Sequence, residues 1–192
     1  MNTTRLATIS DATSILDIYT PYILNTAFTF ETDIPTIQNF EVRINTYQEN
    51  WPWLVYEHEG VIAGYAYATK HRERAAYQWC VESSVYVHGK FQQKGIAKSL
   101  YNTLFEILKF QGCRNVYAGI TLPNDKSISF HKKFGFTWLA DYKNIGYKLN
   151  QWNTVSWWQL QLNEYADNPK APIKFPEVPF SFLQRVLQKE SR

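Results

Sequence analysis

The sequence predicts an α/β fold in which a mixed sheet carries helices on both faces. Two short extended segments flank Glu59-Gly60, and a glycine turn between such segments is typical of an antiparallel hairpin. Further along, extended segments alternate with runs whose apolar residues recur at helical spacing, which indicates crossover connections. With 192 residues, of which 45% are apolar, the chain can form one hydrophobic core.

The first part of the chain predicts a strand and two helices. Residues 5–8 favour an extended backbone, and residues 10–11 mark a helix start because apolar residues follow at helical spacing. Residues 28–31 fit either a loop or a short strand. Residues 35–36, Pro-Thr, open a second helix with aromatic and aliphatic residues on one face.

The remaining elements complete the predicted sheet. Segments rich in β-branched and aromatic residues predict strands, and apolar periodicity near 3.6 residues predicts helices. The predicted order is strands at 53–57, 61–69 and 77–87, a helix at 96–111, a strand at 116–121, a helix at 127–134, and strands at 136–142 and 145–162 that turn near Asn144.

A change in composition near residue 165 predicts a tail. Four prolines fall between residues 169 and 179, and proline at that density favours an extended backbone. The side chains that follow have the spacing of one apolar helical face: Phe180, Leu183, Val186 and Leu187. We therefore divide the chain into a domain at 1–164 and a Pro-rich tail at 165–192 with a short amphipathic helix, which we expect to dock instead of fraying.

The composition argues against several classes of protein. The formal net charge of +3 and the lack of a Lys/Arg run argue against a nucleic-acid partner. Cys80 and Cys113 lack metal-ligand spacing and are expected to be reduced thiols, and the four histidines form no zinc motif. No apolar run approaches the roughly 20 residues that cross a bilayer, and the N-terminus lacks signal-peptide features. We expect a cytoplasmic protein with no metal and no membrane partner.

The most informative segment is a predicted strand that runs into a helix start containing glycine. Strand 77–87 is followed by QQKGIA at residues 92–97, where Gly95 allows the backbone to approach a ligand beside unpaired helix N–H groups. Such a helix start binds anions such as phosphate. A glycine before a helix can also serve a simple turn, so this motif alone leaves both interpretations open.

Glu82, on the same predicted strand, is the candidate general base. A carboxylate within an apolar strand is unusual, and partial desolvation would make it a better proton acceptor. The alternative is a salt bridge to a nearby cation, for which the candidates are Lys70, Arg72 and Arg74.

The order of these features resembles the GNAT superfamily of N-acetyltransferases. After the Gln-x-x-Gly-x-Ala motif, LPNDKS at 122–127 leads into a helix that ends at a Phe-Gly-Phe turn at 134–136, as in that family. Three longer segments are similar to the phosphinothricin N-acetyltransferase branch: YQWCVESSVYV at 77–87, WPWLV at 51–55 and GYKLNQW at 146–152. The resemblance covers about residues 4–162. It implies a mostly antiparallel GNAT-type sheet, acetyl-coenzyme A (acetyl-CoA) as co-substrate, and a homodimer.

The resemblance also assigns a coenzyme site. The backbone of Val85, Tyr86 and Val87 is expected to pair with the pantetheine arm, with an N–H near Val85 polarising the thioester carbonyl. Asn124 is expected to bind the pantetheine or to order nearby backbone, although it can equally cap the following helix. The residues expected to hold the pyrophosphate are Gln93, Lys94, Gly95, Ile96, Ala97 and Lys98.

Two catalytic roles are implied. Glu82 stands at the strand position of the branch's proposed base, which removes a proton from the amine. His131 stands where many members have a Tyr proposed to protonate the departing thiolate, so it is implied as an acid, a proton relay or a contact to the substrate. A lone helix His can also be a packing or surface residue.

The implied acceptor is the amine of a small amino acid analogue with a phosphinate, sulfoximine or sulfone side chain. Arg72 and Arg74 match the branch's anion-binding stretch and suit a carboxylate or phosphinyl group, whereas a solvated charge run is the alternative. Phe30, Tyr77 and Ser84 are further candidates for the acceptor pocket, and the first two also fit an ordinary core.

The sequence also allows other functions. The fold does not determine the acceptor, which could be a protein N-terminus, a polyamine or an ordinary amino acid. A module that binds coenzyme A without turnover is a further alternative, against which the intact Glu82 and His131 argue.

Overall fold

The computed structural model describes residues 2–189, which form one seven-stranded sheet with helices on both faces. The strands are β1 (Asn2–Leu6), β2 (Trp53–His58), β3 (Val61–Lys70), β4 (Cys80–Val87), β5 (Asn115–Thr121), β6 (Thr137–Lys148) and β7 (Gln151–Gln161). The helices are α1 (Ala12–Asn25), α2 (Ile37–Gln48), α3 (Ile96–Gln111), α4 (Asp125–Lys133) and α5 (Phe180–Lys189). The strand order is β1-β2-β3-β4-β5-β7-β6, in which β4 and β5 are parallel and the other pairs antiparallel. The predicted mixed, mostly antiparallel sheet is confirmed.

Each face of the sheet has its own hydrophobic core, because successive strand residues point to opposite faces. Trp53, Val55 and Tyr65 pack with α1 and α2 on one face. Leu54 and Ala66, one residue away from these in each strand, pack with α3 and α5 on the other. The alternation therefore decides which strand side chains meet which pair of helices.

Two of the predicted strand ranges were wrong. β1 spans Asn2–Leu6 instead of 5–8, and it ends before Thr8 because the Thr8 N–H donates to Asp11 Oδ2 at 2.8 Å and starts the cap of the first helical turn. β4 starts at Cys80 instead of residue 77, because Ala75–Tyr77 forms a 3-10 turn in which the Tyr77 N–H donates to the Arg74 carbonyl. In both places a hydrogen-bonded turn overrides local strand propensity.

The predicted turn near Asn144 was also wrong. β6 continues to Lys148, and the hairpin turns at Leu149 and Asn150, whose φ angles are +53° and +60°. Asn144 has φ of +51° and lies in a bulge where the register with β7 shifts between Tyr142 and Gly146. Asn tolerates the left-handed conformation in either setting, so the residue type indicated a special backbone without distinguishing a bulge from a turn.

The segment after residue 164 packs against the main body of the chain. Its backbone is joined to it by hydrogen bonds from the Ile173 N–H to the Gln111 carbonyl at 2.9 Å and from Trp79 Nε1 to the Lys170 carbonyl at 2.8 Å. Leu183 and Val186 of α5 are buried in the core beside α3. The expected docking of the apolar helical face is therefore observed for Leu183 and Val186, but Phe180, which was expected on the same face, is 73% exposed.

Within residues 2–189, no helix is both long enough and apolar enough to cross a membrane. No group of three or more His, Cys, Asp or Glu side chains in that part of the chain is arranged to hold a metal ion.

Candidate active site

The site opens where two neighbouring strands of the sheet part. β4 and β5 pair at three successive positions that end with Glu82 and Tyr117. Beyond Glu82, β4 continues to pair with β3 as far as Val87, while β5 pairs with β7. Residues 83–87 therefore have a strand partner on one side only, and their other edge can pair with an extended ligand.

A cavity of about 840 Å³ fills this cleft. Residues 83–87 form one wall and residues 118–121 the other, so the predicted Ser84, Val85, Tyr86 and Val87 all line it. Tyr22 also lines the cavity, and its hydroxyl donates to the Val87 carbonyl at 2.7 Å. The volume lies within the range of small-molecule and cofactor pockets.

The first turn of α3 closes one end of the cavity. Gly95 is the N-cap residue with φ of +81°, a left-handed conformation that glycine adopts readily. Gln93, Gly95, Ile96, Ala97 and Lys98 all line the cavity. The first N–H groups of this 16-residue helix lack intrahelical partners, which makes the turn an anion-binding position.

Lys94 differs from its neighbours in that stretch. It is not among the residues that line the cavity, and its ammonium lies 5.2 Å from the centre of the Phe91 ring. The Lys94 side chain is therefore not placed to make the predicted contact with a pyrophosphate in the cavity, although its backbone adjoins Gly95.

Glu82 lies at the point where β4 and β5 separate. Its side chain is about one-third exposed, and Oε1 lies 2.9 Å from Nδ1 of His71, the residue that follows β3. Glu82 pairs in register with Thr69 of β3 and Tyr117 of β5, which places it on the face covered by α1 and α2. The carboxylate is thus held by a neighbour while remaining accessible.

None of the three cations named as alternative partners contacts Glu82. Lys70 Nζ lies 3.1 Å from Glu73 Oε2, while Arg72 and Arg74 are exposed and form no ion pair within residues 2–189. The two arginines therefore remain available to a ligand, and Glu82 has a histidine partner that sequence spacing did not predict.

His131 belongs to a buried hydrogen-bonded chain beside the cavity. Its Nδ1 lies 2.8 Å from the Ser127 carbonyl, which can only accept, so Nδ1 carries the proton and Nε2 is an acceptor. The Tyr101 hydroxyl is 3.3 Å from Nε2 and 3.2 Å from Ser83 Oγ, which donates to it. Burial lowers the pKa of His131, an effect that the hydrogen bond to Ser127 partly opposes. The imidazole is therefore neutral at pH 7.

This neutral His131 should make the stability of the protein depend on pH. Its pKa is lower in the folded chain than the unfolded value of about 6.5, so the unfolded state binds more protons as the pH falls. The contribution of neutral His131 to the free energy of unfolding is fully present above about pH 6.5 and is lost as the pH falls below that value. Urea unfolding between pH 7.5 and 5 should show a steeper loss of stability for the wild type than for His131→Asn. Equal slopes would contradict the assignment.

Asn124 is the N-cap of α4, the alternative role expected from its position in the sequence. Its Oδ1 accepts from the Ser127 N–H at 3.2 Å and so caps α4. The residue also lines the cavity. Capping and ligand contact are therefore compatible here.

Phe30 lies in the loop between α1 and α2, over the β6–β7 hairpin. A Cβ atom added to Gly146 would clash with the Phe30 ring, so the glycine allows this close packing. The buried Lys148 ammonium donates to the Thr29 carbonyl at 2.8 Å and anchors the same loop. The Tyr77 ring centre lies 6.3 Å from that of His71, the partner of Glu82. Glu82 and Ser84 thus share one face of β4 and Tyr77 is linked to them through His71, whereas Phe30 packs against the β6–β7 hairpin.

Several residues of the site were missed by sequence reasoning. Tyr101 and Tyr22 fit apolar helix positions in the sequence, although a tyrosine on a buried helix face needs a hydroxyl partner, and that need was a usable signal. His71 was overlooked because its partner is 11 residues away along the chain and is found only once β3 and β4 are paired.

Comparison with known proteins gives this geometry a context. A family model described as an acetyltransferase (GNAT) domain matches residues 4–157. The chain is 39% identical to a phosphinothricin N-acetyltransferase of Streptomyces viridochromogenes over 88% of its own length and 92% of that protein. It is 33% identical to an L-methionine sulfoximine/L-methionine sulfone acetyltransferase of Salmonella typhimurium, covering 85% and 96% of the two chains. A crystal structure of a GNAT phosphinothricin acetyltransferase from Sinorhizobium meliloti with acetyl-CoA superimposes with a TM-score of 0.85 at 31% identity, covering 92% and 97%.

Proposed function

We propose that this chain, which belongs to the GNAT family of acetyltransferases, transfers the acetyl group of acetyl-CoA to the α-amine of a small amino acid or amino acid analogue. The observation that carries the proposal is the cleft that opens just beyond Glu82, in the last residue pair of β4 and β5, and that the start of α3 also lines. The acceptors named for the two relatives support an analogue with a phosphinic, sulfoximine or sulfone side chain. A cytoplasmic location, where acetyl-CoA is available, is part of the proposal.

The residues present fit a coenzyme A thioester. The free edge of residues 83–87 offers backbone groups to a pantetheine arm as a neighbouring strand would. The backbone N–H groups of residues 93–98 suit a pyrophosphate, and Asn124 suits the middle of the arm. We assign the backbone N–H near Val85 to the thioester oxygen, where negative charge develops during transfer.

When bound, the thioester supplies an acetyl group attached to sulfur. Glu82 accepts a proton from the acceptor's ammonium or amine so that the nitrogen lone pair can attack the acetyl carbon. Formation of the C–N bond and cleavage of the C–S bond leave a thiolate that needs a proton. We assign the proton to the Tyr101 hydroxyl at the cavity wall, which regains a proton from solvent as Glu82 releases the one that it took from the amine. His131 has no proton to give, because its N–H is bonded to Ser127 and its Nε2 accepts from Tyr101, so we assign it the role of orienting the Tyr101 hydroxyl.

The acceptor's acidic groups are assigned to the exposed arginines between β3 and β4. Arg72→Ala or Arg74→Ala should raise the acceptor KM by about 10-fold, the scale of a lost charge-assisted hydrogen bond of about 1.5 kcal/mol. The KM for acetyl-CoA should stay constant, because neither arginine lines the cavity. Steady-state kinetics with each substrate varied in turn measure both. Unchanged acceptor kinetics with a lowered Tm would make the arginines structural.

An acceptor panel tests the proposed function directly. Release of the coenzyme A thiol would be measured with phosphinothricin, methionine sulfoximine, methionine sulfone, the standard amino acids and a polyamine. The expected result is the highest kcat/KM for one of the three analogues. Release with the polyamine alone would indicate another acceptor class, and tight acetyl-CoA binding without release for any amine would indicate a binding module.

A homodimer is the proposed assembly. β6 is an edge strand, and an exposed edge with apolar side chains is typical of an interaction surface. The exposed large apolar residues on β6, on β7 and at their turn are Trp138, Leu139, Tyr142, Ile145, Tyr147, Leu149 and Trp152. Sedimentation velocity at micromolar concentration should give a dimer, and a monomer alone would refute the proposal.

A further inference from the structure

The contact between His71 and Glu82 has the geometry of a support for the carboxylate. His71 Nδ1 lies 2.9 Å from Glu82 Oε1, and the His71 side chain is only 14% exposed. A carboxylate accepts hydrogen bonds, so Nδ1 is the protonated nitrogen in this pair. Oε2 has no hydrogen-bond partner within the described residues 2–189. One oxygen of Glu82 is therefore held and the other is left for a substrate.

Aromatic packing fixes the His71 ring independently of Glu82. The ring stacks on Tyr117, with 4.3 Å between ring centres and an interplanar angle of 19°. Trp157 and Tyr77 meet it edge-on, at 6.0 Å and 6.3 Å. Tyr117 is itself the β5 partner of Glu82 in the last residue pair before the strands separate. The ring orientation is thus set by β5, β7 and the turn before β4, and the ring then orients the carboxylate.

The surroundings leave Glu82 as the anionic partner of His71. Burial, with the neighbouring Cys80 as the next cause, raises the pKa of Tyr117 to about 12, so its hydroxyl is neutral at pH 7. Trp157 carries no charge, and the carboxylate of Glu73 is paired with Lys70. A histidine clamped between rings and bonded to a single carboxylate oxygen is more restrained than an exposed ion pair would be.

We propose that His71 is a positioning residue for the general base: its Nδ1–H holds Oε1 of Glu82 so that Oε2 faces the acceptor amine. This role rests on the proposed function, because it matters only if Glu82 removes the proton. The hydrogen bond restricts rotation of the carboxyl group, and a fixed orientation lowers the cost of reaching the reactive geometry. His71 itself does not contact the reacting atoms.

Two substitutions separate the hydrogen bond from the ring packing. His71→Phe keeps a ring to stack on Tyr117 and removes the donor, whereas His71→Asn keeps an N–H near the Nδ1 position and removes the ring. His71→Phe should lower kcat by about 10-fold, the scale of one hydrogen bond to a charged group, with the acetyl-CoA KM and Tm nearly unchanged. His71→Asn should recover kcat to within about 3-fold of the wild type.

A double-mutant cycle with Glu82→Gln completes the test. In the Glu82→Gln background, His71→Phe should change kcat by less than about 2-fold, because the group that it positions is gone. An equal loss of kcat in both backgrounds, or no loss in the wild-type background while Glu82→Gln is impaired, would contradict the role of His71. Either result would leave the assignment of Glu82 as the base intact. If Glu82→Gln retains full activity, the base assignment fails and this role fails with it.

Discussion

Replacing Glu82 with Gln should lower kcat by about 100-fold or more, the usual contribution of a positioned general base. Glutamine keeps the size of the side chain and can still hydrogen bond to His71, but it cannot accept the proton that the attacking amine loses. Because the Glu82 side chain is not part of the cavity wall, the dissociation constant of acetyl-CoA should remain within about 2-fold of the wild type. Single-turnover kinetics and calorimetric titration with acetyl-CoA measure the two quantities separately.

Glu73→Gln is the matched control for this change. It also removes a carboxylate between β3 and the end of β4, but its side chain is 91% exposed and pairs with Lys70 at the surface. The control should leave kcat unchanged. Equal activity of Glu82→Gln and the wild type across the pH range would show that another group removes the proton.

Gly95→Val should weaken acetyl-CoA binding while leaving the sheet and both cores intact. The backbone at Gly95 has φ of +81°, which a β-branched residue adopts only with strain. A Cβ there would meet no protein atom within 4 Å, so the strain is relieved by movement of the helix start and not by repacking of the core. Displaced N–H groups lose their alignment with the pyrophosphate. We expect roughly a 10- to 30-fold higher dissociation constant, the scale of an anion at a helix terminus.

The opposite end of the same helix supplies a control. Gly112 is the C-cap of α3 with φ of +93°, and a Cβ there would meet only Pro172 Cα, at 3.7 Å. Gly112→Val therefore carries a similar conformational penalty far from the cavity. Both variants should lose a comparable part of their thermal stability, and only Gly95→Val should lose affinity for acetyl-CoA in calorimetric titration. Normal affinity in Gly95→Val would contradict the assigned anion site.

The fold was predictable where local patterns decide it. Both ends of α3, at Ile96 and Gln111, agree with the helix that the apolar period after Gly95 predicts at 96–111. Asn144 and Tyr77 show where local patterns fail. A residue type that tolerates positive φ does not distinguish a bulge from a turn, and strand propensity does not reveal a 3-10 turn fixed by a backbone hydrogen bond.

The site was predictable only as separate pieces. Glu82 stood out because a carboxylate is rare in an apolar strand, and Gly95 because a helix follows it. Their relation to each other depends on where β4 and β5 stop pairing, which no residue between Cys80 and Val87 specifies on its own. The partners His71 and Tyr101 depend on strand register and on the seating of α3, both of which are tertiary properties.

The early end of the β4–β5 ladder also affects how the molecule is held together. The sheet is continuous across its middle through only three residue pairs, so β1–β4 and β5–β7 form two blocks joined by a short seam. A ligand lying along residues 83–87 lengthens that seam. A ligand that binds the folded chain alone adds RT ln(1 + [L]/Kd) to its stability. The cellular supply of such a ligand would then set not only the rate of the reaction but also how long each copy of the protein survives unfolding and proteolysis.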